Sequence, residues 1–384
     1  MAYKFKRQIF SFLDLIRFTK LVPNRKKMLE EGSSAPLPTT DDVTETMKIL
    51  HPGHMKGTLL EKKEVAPGFY SFLFAIDKPL FFESGSYVTL GHEIGTSYAS
   101  RPYAIASSPF DALRKKRIEL MIKKAGFFST YMIEEAKVAD VFDIHGPFGD
   151  FSHESLRDRD DVVALAGGSG IAPFISMARS LKEGSSSGYR LHIFYGTKTL
   201  KDIAYKDELD TLSKEPNIDA TYVLEEKTEG YPQGYIDRKI LSEKAPKTFT
   251  AFISGPNQMI AFAKEELASL GLEAKDIIAE PNPIRDRPGE GKSYKLTVHI
   301  QDQVYEIEAK DTETVLVALE RAAIKAPSAC RAGGCGYCHA RLIKGKFTIW
   351  GGDKRRLSDA KFGYFHPCVS FPDSDLEIDV PPAK

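Results

Sequence analysis

The chemistry open to this chain is clearest in its four cysteines, which all fall in the last fifth of the sequence. Three follow the pattern C-x4-C-x2-C and the fourth comes 29 intervening residues later: Cys330, Cys335, Cys338 and Cys368. Four thiolates with this spacing, including one late ligand, are typical of a 2Fe–2S cluster. Because such a cluster accepts and releases one electron at a time, the pattern predicts an electron carrier.

Two other uses of these cysteines are weaker. Structural disulfides are disfavoured because a chain of 384 residues can build its core without them. Zinc ribbons usually pair two C-x2-C hooks, whereas this chain has one. Gly333, Gly334 and Gly336 let the loop wrap closely and direct its N–H groups at sulfur, which favours iron–sulfur and leaves zinc as the main alternative.

Composition limits the remaining functions. A chain of 384 residues allows two to four domains. Its 53 basic and 53 acidic residues cancel, so no nucleic-acid partner is expected. The chain contains neither an apolar run long enough to span a membrane nor a secretory signal. Four free thiols also suit a reducing compartment, so a cytoplasmic protein is expected.

Residues 1–31 differ from the rest of the chain. Apolar residues recur there at helical spacing among many basic ones: Phe5, Ile9, Phe12, Leu13 and Ile16. The pattern predicts a basic amphipathic helix that could lie on the inner membrane face, dock on an acidic partner or pack on its own protein. Residues 32–42 are rich in Ser, Pro and Thr and predict a linker, so residues 1–51 form an extension.

Residues 52–155 alternate in short segments that predict a small antiparallel β-barrel. One segment within it is Arg101-Pro102-Tyr103-Ala104. The arginine offers a planar fork for a pyrophosphate, and the tyrosine offers a flat face for an isoalloxazine ring. Alone the segment is weak evidence, because Arg-Pro-Tyr on a strand is more often structural, but together with the next two segments it predicts a flavin site.

Two further segments of the barrel suit phosphate and a sharp turn. Gly126 lets the backbone approach a phosphate, to which the Ser129 hydroxyl and the N–H groups near Phe128 can donate. Gly146 and Gly149 bracket a Gly-Pro-Phe-Gly sequence that predicts a tight turn after the strand at residues 141–145.

Residues 156–283 predict a doubly wound α/β domain with a parallel sheet, because strands and helices alternate. An apolar strand at residues 161–166 leads into a glycine loop and then a helix. Gly168, Gly170 and Pro173 give this loop the form G-x-G-x-x-P, which predicts a site for a nucleotide pyrophosphate.

Two other predicted strands of this domain end in candidate ligand residues, since ligands bind at the carboxyl ends of such strands. These residues are Tyr195, Gly196, Ser254, Gly255 and Pro256. The choice between NADH and NADPH stays open, because nearby lysines could meet a 2′-phosphate and a nearby aspartate could meet the ribose.

Residues 293–384 follow a linker at 284–292 and predict an α+β domain of the β-grasp type. A hairpin, a helix, the cysteine loop and two further strands follow in order. His339 and His366 stand beside cysteines, but four thiolates already complete the ligand set, so both histidines are interpreted as neighbours of the cluster.

Taken together, the segments up to residue 283 resemble the ferredoxin–NADP reductase superfamily, whose signature is Arg-x-Tyr-Ser/Thr. The segment that follows them resembles a plant-type ferredoxin. The resemblance implies that Arg101 holds the FAD pyrophosphate, that Tyr103 stacks on the flavin and that Gly126 and Ser129 form the phosphate turn. It also implies NAD(P)H binding at the G-x-G-x-x-P loop.

Two positions depart from the family. Ala104 replaces a hydroxyl that the family places near flavin N5, and Ser254 replaces a cysteine near the nicotinamide. Tyr103 and Ser254 are the residues that the resemblance implies for catalysis. The overall order implies electron transfer from NAD(P)H through FAD and the 2Fe–2S cluster to a separate redox protein, such as a terminal oxygenase or a hybrid-cluster protein. The alternatives are reduction of small acceptors, such as quinones or ferric chelates, and redox sensing.

Overall fold

The computed structural model describes residues 12–32, 42–50, 53–280, 282 and 287–383. Helix α1 (Phe12–Glu30) covers part of the predicted basic helix, whose first eleven residues lie outside the described chain. Most of the linker predicted at 32–42 and part of that at 284–292 also lie outside it. Helix α2 (Asp42–Leu50), which the sequence analysis did not predict, places acidic residues in its first turn and Lys48 in its last, as the helix dipole favours.

The described helices are too short or too polar to cross a membrane. On α1, Ile16, Leu21 and Met28 are exposed apolar side chains.

The first large sheet is antiparallel, with strand order β4-β3-β6-β1-β2-β5. Its elements are β1 (Gly53–Ala66), β2 (Phe69–Ile76), β3 (Tyr87–Ile94), β4 (Ser97–Ala104), α3 (Pro109–Arg114), β5 (Arg117–Lys123), α4 (Phe127–Glu134) and β6 (Val141–Phe148). A bridge between Ile105 and Leu120 joins the two edges and closes the barrel. Alternate residues face a buried interior that includes Leu59, Phe74 and Phe142, as the pattern of the sequence predicts.

One prediction for this barrel is wrong. Strand β6 continues through Phe148, so Gly146 is paired within the sheet, opposite Gly53, and the tight turn predicted after residue 145 is absent from this described segment. The chain turns only at Gly149, whose φ of +96° favours glycine.

The second sheet is parallel, with strand order β11-β10-β7-β8-β9, and confirms the doubly wound prediction. Its elements are β7 (Asp161–Gly167), α5 (Ala172–Glu183), β8 (Arg190–Thr197), α6 (Lys206–Leu212), β9 (Ile218–Leu224), α7 (Arg238–Lys244), β10 (Thr250–Ser254), α8 (Asn257–Ser269) and β11 (Ile277–Ala279). The strand order reverses between β7 and β10, and ligands of such sheets bind at this switch point.

The third sheet has strand order β13-β12-β18-β14-β16, with β12 and β18 parallel. Its domain comprises β12 (Ser293–Ile300), β13 (Gln303–Lys310), α9 (Val315–Arg321), β14 (Ala340–Lys344), β15 (Phe347–Ile349), α10 (Leu357–Lys361), β16 (Tyr364–Phe365), β17 (Ser370–Pro372) and β18 (Leu376–Asp379). The predicted hairpin, helix and closing strand are confirmed. Helix α10 and the short strands β16 and β17 were not predicted.

A buried ionic network joins the barrel to the parallel-sheet domain. Arg179 on α5 donates to Glu119 on β5 at 2.6 Å and to Glu208 on α6 at 2.6 Å. Glu119 also accepts from the hydroxyls of Ser71, at 2.5 Å, and Tyr205, at 2.7 Å. Burial opposes ionisation of Glu119, but Arg179 and the two hydroxyls outweigh it and bring the pKa of Glu119 below its ordinary value.

Replacing Arg179 with Met leaves the Glu119 carboxylate buried without its cation. We expect Arg179→Met to lower the free energy of unfolding by about 3–5 kcal/mol at pH 7, measured by urea unfolding. Since folding lowers the pKa of Glu119, its contribution is complete above the unfolded carboxyl pKa of about 4.3 and is lost as pH falls. The difference between wild type and variant should therefore shrink in acid.

The matched control is Arg190→Met, which removes a solvent-exposed partner of Asp161. Equal destabilisation by the two substitutions would contradict a special role for the Arg179 network.

Candidate functional site

The residues predicted to bind the flavin lie along the second half of β4. The Arg101 side chain is 26% exposed. Tyr103 is partly buried, and its ring centroid is 6.3 Å from that of Phe128 on α4. Ala104 lies opposite Tyr87 of β3 in the antiparallel register. The structure therefore brings the predicted flavin residues of β4 beside the first turn of α4.

The predicted phosphate turn is built as a helix start. Ser129 is buried, and its hydroxyl donates to Gly126 O at 2.9 Å while accepting the N–H of Ala125 at 2.9 Å and of Gly126 at 3.0 Å. The sequence analysis expected the Ser129 hydroxyl to donate to a phosphate. Its proton is instead bound within the loop, so Ser129 shapes the turn. The N–H groups of the first turn of α4 are the donors that a phosphate would meet there.

The predicted nucleotide loop packs tightly on the end of β10. Gly168 has a φ of +55° and begins a 3-10 turn directly after β7. A Cβ on Gly170 would lie 2.1 Å from Ser254 O, so only glycine permits this approach. Pro173 lies in the first turn of α5, where its missing N–H is not needed.

Tyr195 is fully buried, and its hydroxyl donates to Gly168 O at 2.9 Å. This contact corrects the prediction that Tyr195 touches the cofactor, because the side chain supports the glycine loop from inside the protein. Gly196, the next residue, lies opposite Gly167 where β8 and β7 end. Pro256 immediately precedes α8.

A partly buried acid accompanies Ser254 at the switch point. The Ser254 hydroxyl donates to the Glu280 carboxylate. Glu280 follows β11, and burial raises its pKa above the ordinary value for a glutamate. Asn282 Nδ2 donates to Gly255 O at 2.5 Å and holds the same loop. The sequence analysis missed Glu280; the short apolar run of β11 just before this acid was the available signal.

The four cysteine thiols form two pairs. Cys330 hydrogen-bonds with Cys335, and Cys338 hydrogen-bonds with Cys368. Cys335 is exposed and the other three are buried. The bond with Cys335 and N–H groups of the loop, including Ala332 N at 3.4 Å, lower the pKa of Cys330 to about 5. The same bond raises the pKa of Cys335, so within this pair the thiolate, the form that binds iron, is favoured at Cys330.

Two buried nitrogens beside the cysteines have no hydrogen-bond partner within the described chain. They are Arg331 Nε and His366 Nε2. The other nitrogen of His366 donates to Gly333 O at 2.9 Å, and His339 Nδ1 donates to Gly336 O at 3.0 Å. Both histidines therefore bind carbonyl groups of the cysteine loop, in the positions expected of neighbours.

Tyr87 lies on β3, opposite Ala104 of β4. Burial raises its pKa above the ordinary tyrosine value, and the acidic groups of Cys330, Cys335, Asp150 and Glu280 raise it further.

Aromatic rings continue from Tyr87 into the cysteine loop. The ring centroid of Phe148 lies 5.6 Å from that of Tyr87 and 5.6 Å from that of Tyr337. The Tyr337 N–H also donates to Cys335 Sγ at 3.5 Å. The barrel and the cysteine loop therefore share a packed aromatic contact.

One carboxylate joins the flavin residues to the cysteine loop. Glu320, at the end of α9, accepts from Arg101 at 2.9 and 3.1 Å and from the Ser100 N–H at 3.2 Å. It also accepts from Arg331, which follows Cys330. The sequence analysis did not identify Glu320, because nothing in its local pattern separates it from a surface residue of a helix.

Comparisons with known proteins agree with this geometry. The family model described as the oxidoreductase FAD-binding domain matches residues 56–153, and the oxidoreductase NAD-binding domain matches residues 164–265. The model of the 2Fe-2S iron-sulfur cluster binding domain matches residues 298–373. The chain therefore carries FAD-binding, NAD-binding and 2Fe–2S domains in a ferredoxin-reductase-like fold. Its flavin reductase is fused to a C-terminal 2Fe–2S ferredoxin domain, and it is an NAD(P)H-dependent oxidoreductase.

Among the relatives of this reductase is the glycine betaine monooxygenase reductase subunit of Chromohalobacter salexigens. It is 26% identical over 338 residues, which cover 80% of this chain and 90% of that protein. The NADH oxidoreductase HCR of Escherichia coli is 26% identical over 286 residues, covering 72% and 83%. The structure of phthalate dioxygenase reductase superimposes with a TM-score of 0.64 at 20% identity, covering 86% of this chain and 98% of that one.

FAD, NAD(P)H and a 2Fe–2S cluster are the cofactors of the reductase, and its residues suit them. Two thiol pairs match a cluster of two irons, each needing two protein sulfurs. The unpartnered Arg331 Nε–H beside the cysteines suits a group rich in acceptor sulfur.

Replacing Glu320 with Gln removes the charge that holds Arg101 and Arg331 together. We expect NADH to reduce the flavin at the wild-type rate, while electron transfer from flavin to cluster slows about tenfold, because the two centres lose their fixed spacing. Stopped-flow absorbance separates the two steps.

The control is Glu313→Gln, whose ion pair with Arg321 stays within the ferredoxin domain. Cluster reduction at the wild-type rate in Glu320→Gln would show that Glu320 does not position the domain.

Glu280 also predicts a pH dependence. Because folding raises its pKa, the unfolded chain ionises first, and stability falls as pH rises from the unfolded to the folded pKa. We expect Glu280→Gln to leave the thermal midpoint unchanged at pH 4 and to raise it increasingly toward pH 8. Glu229→Gln, at an exposed position, serves as the control. If the difference in thermal midpoint between wild type and Glu280→Gln does not change with pH, the raised pKa of Glu280 is contradicted.

Proposed function

We propose that the reductase delivers electrons from NAD(P)H to a separate redox protein, a terminal oxygenase. The observation that carries this proposal is the contact between the barrel and the cysteine loop, where Glu320 joins Arg101 to Arg331 and Phe148 packs against Tyr337. The relative from Chromohalobacter salexigens is named as a reductase subunit of a monooxygenase and is matched over 90% of its length. The bound cofactors supply the redox chemistry, with paired electrons entering and single electrons leaving.

The residues have the following proposed roles. Arg101 and the N–H groups of α4 hold FAD phosphates, and Tyr103 covers the flavin ring. The turn at Gly168 and Gly170 holds the nicotinamide nucleotide phosphates. Ser254 and Glu280 border the reacting end, where the Ser254 hydroxyl donates to the Glu280 side chain.

The domain boundaries proposed from the sequence are retained. They are 52–155 for the FAD domain, 156–283 for the NAD(P)H domain and 293–384 for the ferredoxin domain. Each range encloses the corresponding sheet described above.

A small acceptor is the second candidate, favoured by a cleft between barrel and ferredoxin domain. The cleft has a volume of about 1260 Å³ and reaches the exposed ligand Cys335. Tyr98, His145 and Tyr337 also line it, so it offers stacking surfaces to a quinone.

The experiment that decides between these functions removes one predicted iron ligand. We expect Cys368→Ser to keep reduction of the flavin by NADH but to reduce cytochrome c at close to background rate, because the exit through the cluster is lost. His339→Gln, which changes a neighbour of the cysteines, should retain both activities. If Cys368→Ser reduces cytochrome c at the full rate, the cluster is not the exit and the proposal fails.

A further inference from the structure

The segment between β15 and β16 exposes large apolar side chains. We call residues 350–362 the basic loop. Trp350, the only tryptophan of the chain, is 44% exposed, Leu357 is 90% exposed and Phe362 is 66% exposed. Clustered exposed apolar residues surrounded by polar ones mark surfaces that bind other proteins.

Positive charge dominates the basic loop. Arg355 donates to Asp353 at 2.8 Å, and this bond lowers the pKa of Asp353 below its ordinary value, so these two charges cancel. Lys354, Arg356 and Lys361 then face a single remaining acid, Asp359. Because the whole chain has a formal net charge of zero, this surplus is local.

The basic loop also lies against the cysteine loop. Lys354 Nζ donates to Ala332 O at 3.4 Å. The backbone N–H of Trp350 donates to the carbonyl of Val369, the residue after Cys368, at 3.1 Å. Arg356 lines the same cleft as Cys335. A protein bound to this loop would therefore approach the cluster from the side of its ligands.

We propose that the basic loop docks the electron acceptor through an acidic surface on that acceptor, which extends the proposed function. Trp350 and Leu357 form the apolar centre of the contact, and Lys354 and Arg356 steer the acidic partner toward the cluster. Charges of this kind raise association rates by about 10–1,000-fold, and salt removes the effect.

The test compares two haem proteins of opposite charge as acceptors of the full holoenzyme. These are the soluble domain of cytochrome b5, which is acidic, and cytochrome c, which is basic. For Lys354→Glu/Arg356→Glu we expect kcat/KM for cytochrome b5 to fall at least about tenfold at low ionic strength and that for cytochrome c to rise. Both changes should largely disappear at about 0.5 M salt.

The matched control is Lys295→Glu/Lys310→Glu, which reverses two charges on β12 and β13 at the opposite edge of the sheet and should leave both acceptors unaffected. Because Lys354 touches the cysteine loop, Arg356→Glu alone is also measured and should shift both acceptors in the same directions. Reduction of the flavin by NADH and the absorption spectrum of the cluster establish that each variant is intact.

Several outcomes would overturn the proposal. Steering by this loop is excluded if kcat/KM falls for both acceptors or stays unchanged for both. It is also excluded if the control variant shifts kcat/KM as much as the loop variant does. Binding to phosphatidylserine vesicles that the loop variant alone loses, with electron transfer unchanged, would assign the loop to a membrane surface. Full cytochrome reduction by Cys368→Ser would instead refute the proposed function. The opposite shifts of the two cytochromes with the loop variant test the docking surface independently of that result.

Discussion

The arrangement of the redox sites depends on one buried carboxylate. Glu320 binds Arg101 of the flavin barrel and Arg331 of the cysteine loop, so two cations from different domains share one anion. Burial lowers the pKa of Arg331 to about 10, and Glu320 opposes that shift. Removing the carboxylate would leave buried positive charge without compensation, and such losses are costly. The same contact sets how closely the cysteines approach the flavin residues.

Charged networks add specific contacts between the domains to the apolar packing that also joins them. The Arg179–Glu119 pair joins the barrel to the NAD(P)H domain, as Glu320 joins it to the ferredoxin domain. A buried ion pair has a defined geometry, whereas apolar surfaces can slide with little cost. For an enzyme that transfers electrons between three bound groups, this geometry matters more than the small gain in stability.

The sequence predicted features that depend on short-range spacing. The cysteine pattern, the glycine loop after β7 and the order of sheets all follow from neighbouring residues, and the structure and the comparisons agree with them. Glu320 and Arg179 were missed because their roles arise only when separate domains meet. Tyr195 was assigned to the cofactor because it ends a strand, but a strand end does not reveal whether a side chain points into the protein. The role of Ser129 changed for a similar reason, since its hydroxyl is already bound within the turn.

The four cysteine sulfurs differ in solvent exposure, and this difference has a chemical consequence. Cys330, Cys338 and Cys368 are enclosed by protein, but Cys335 is open to solvent. Dissolved oxygen or peroxide that reaches this centre therefore meets Cys335 first, and oxidation follows exposure of a thiolate. Damage in air begins on this side, at the sulfur that also lines the cleft, so the exposed ligand is the weak point of the cluster.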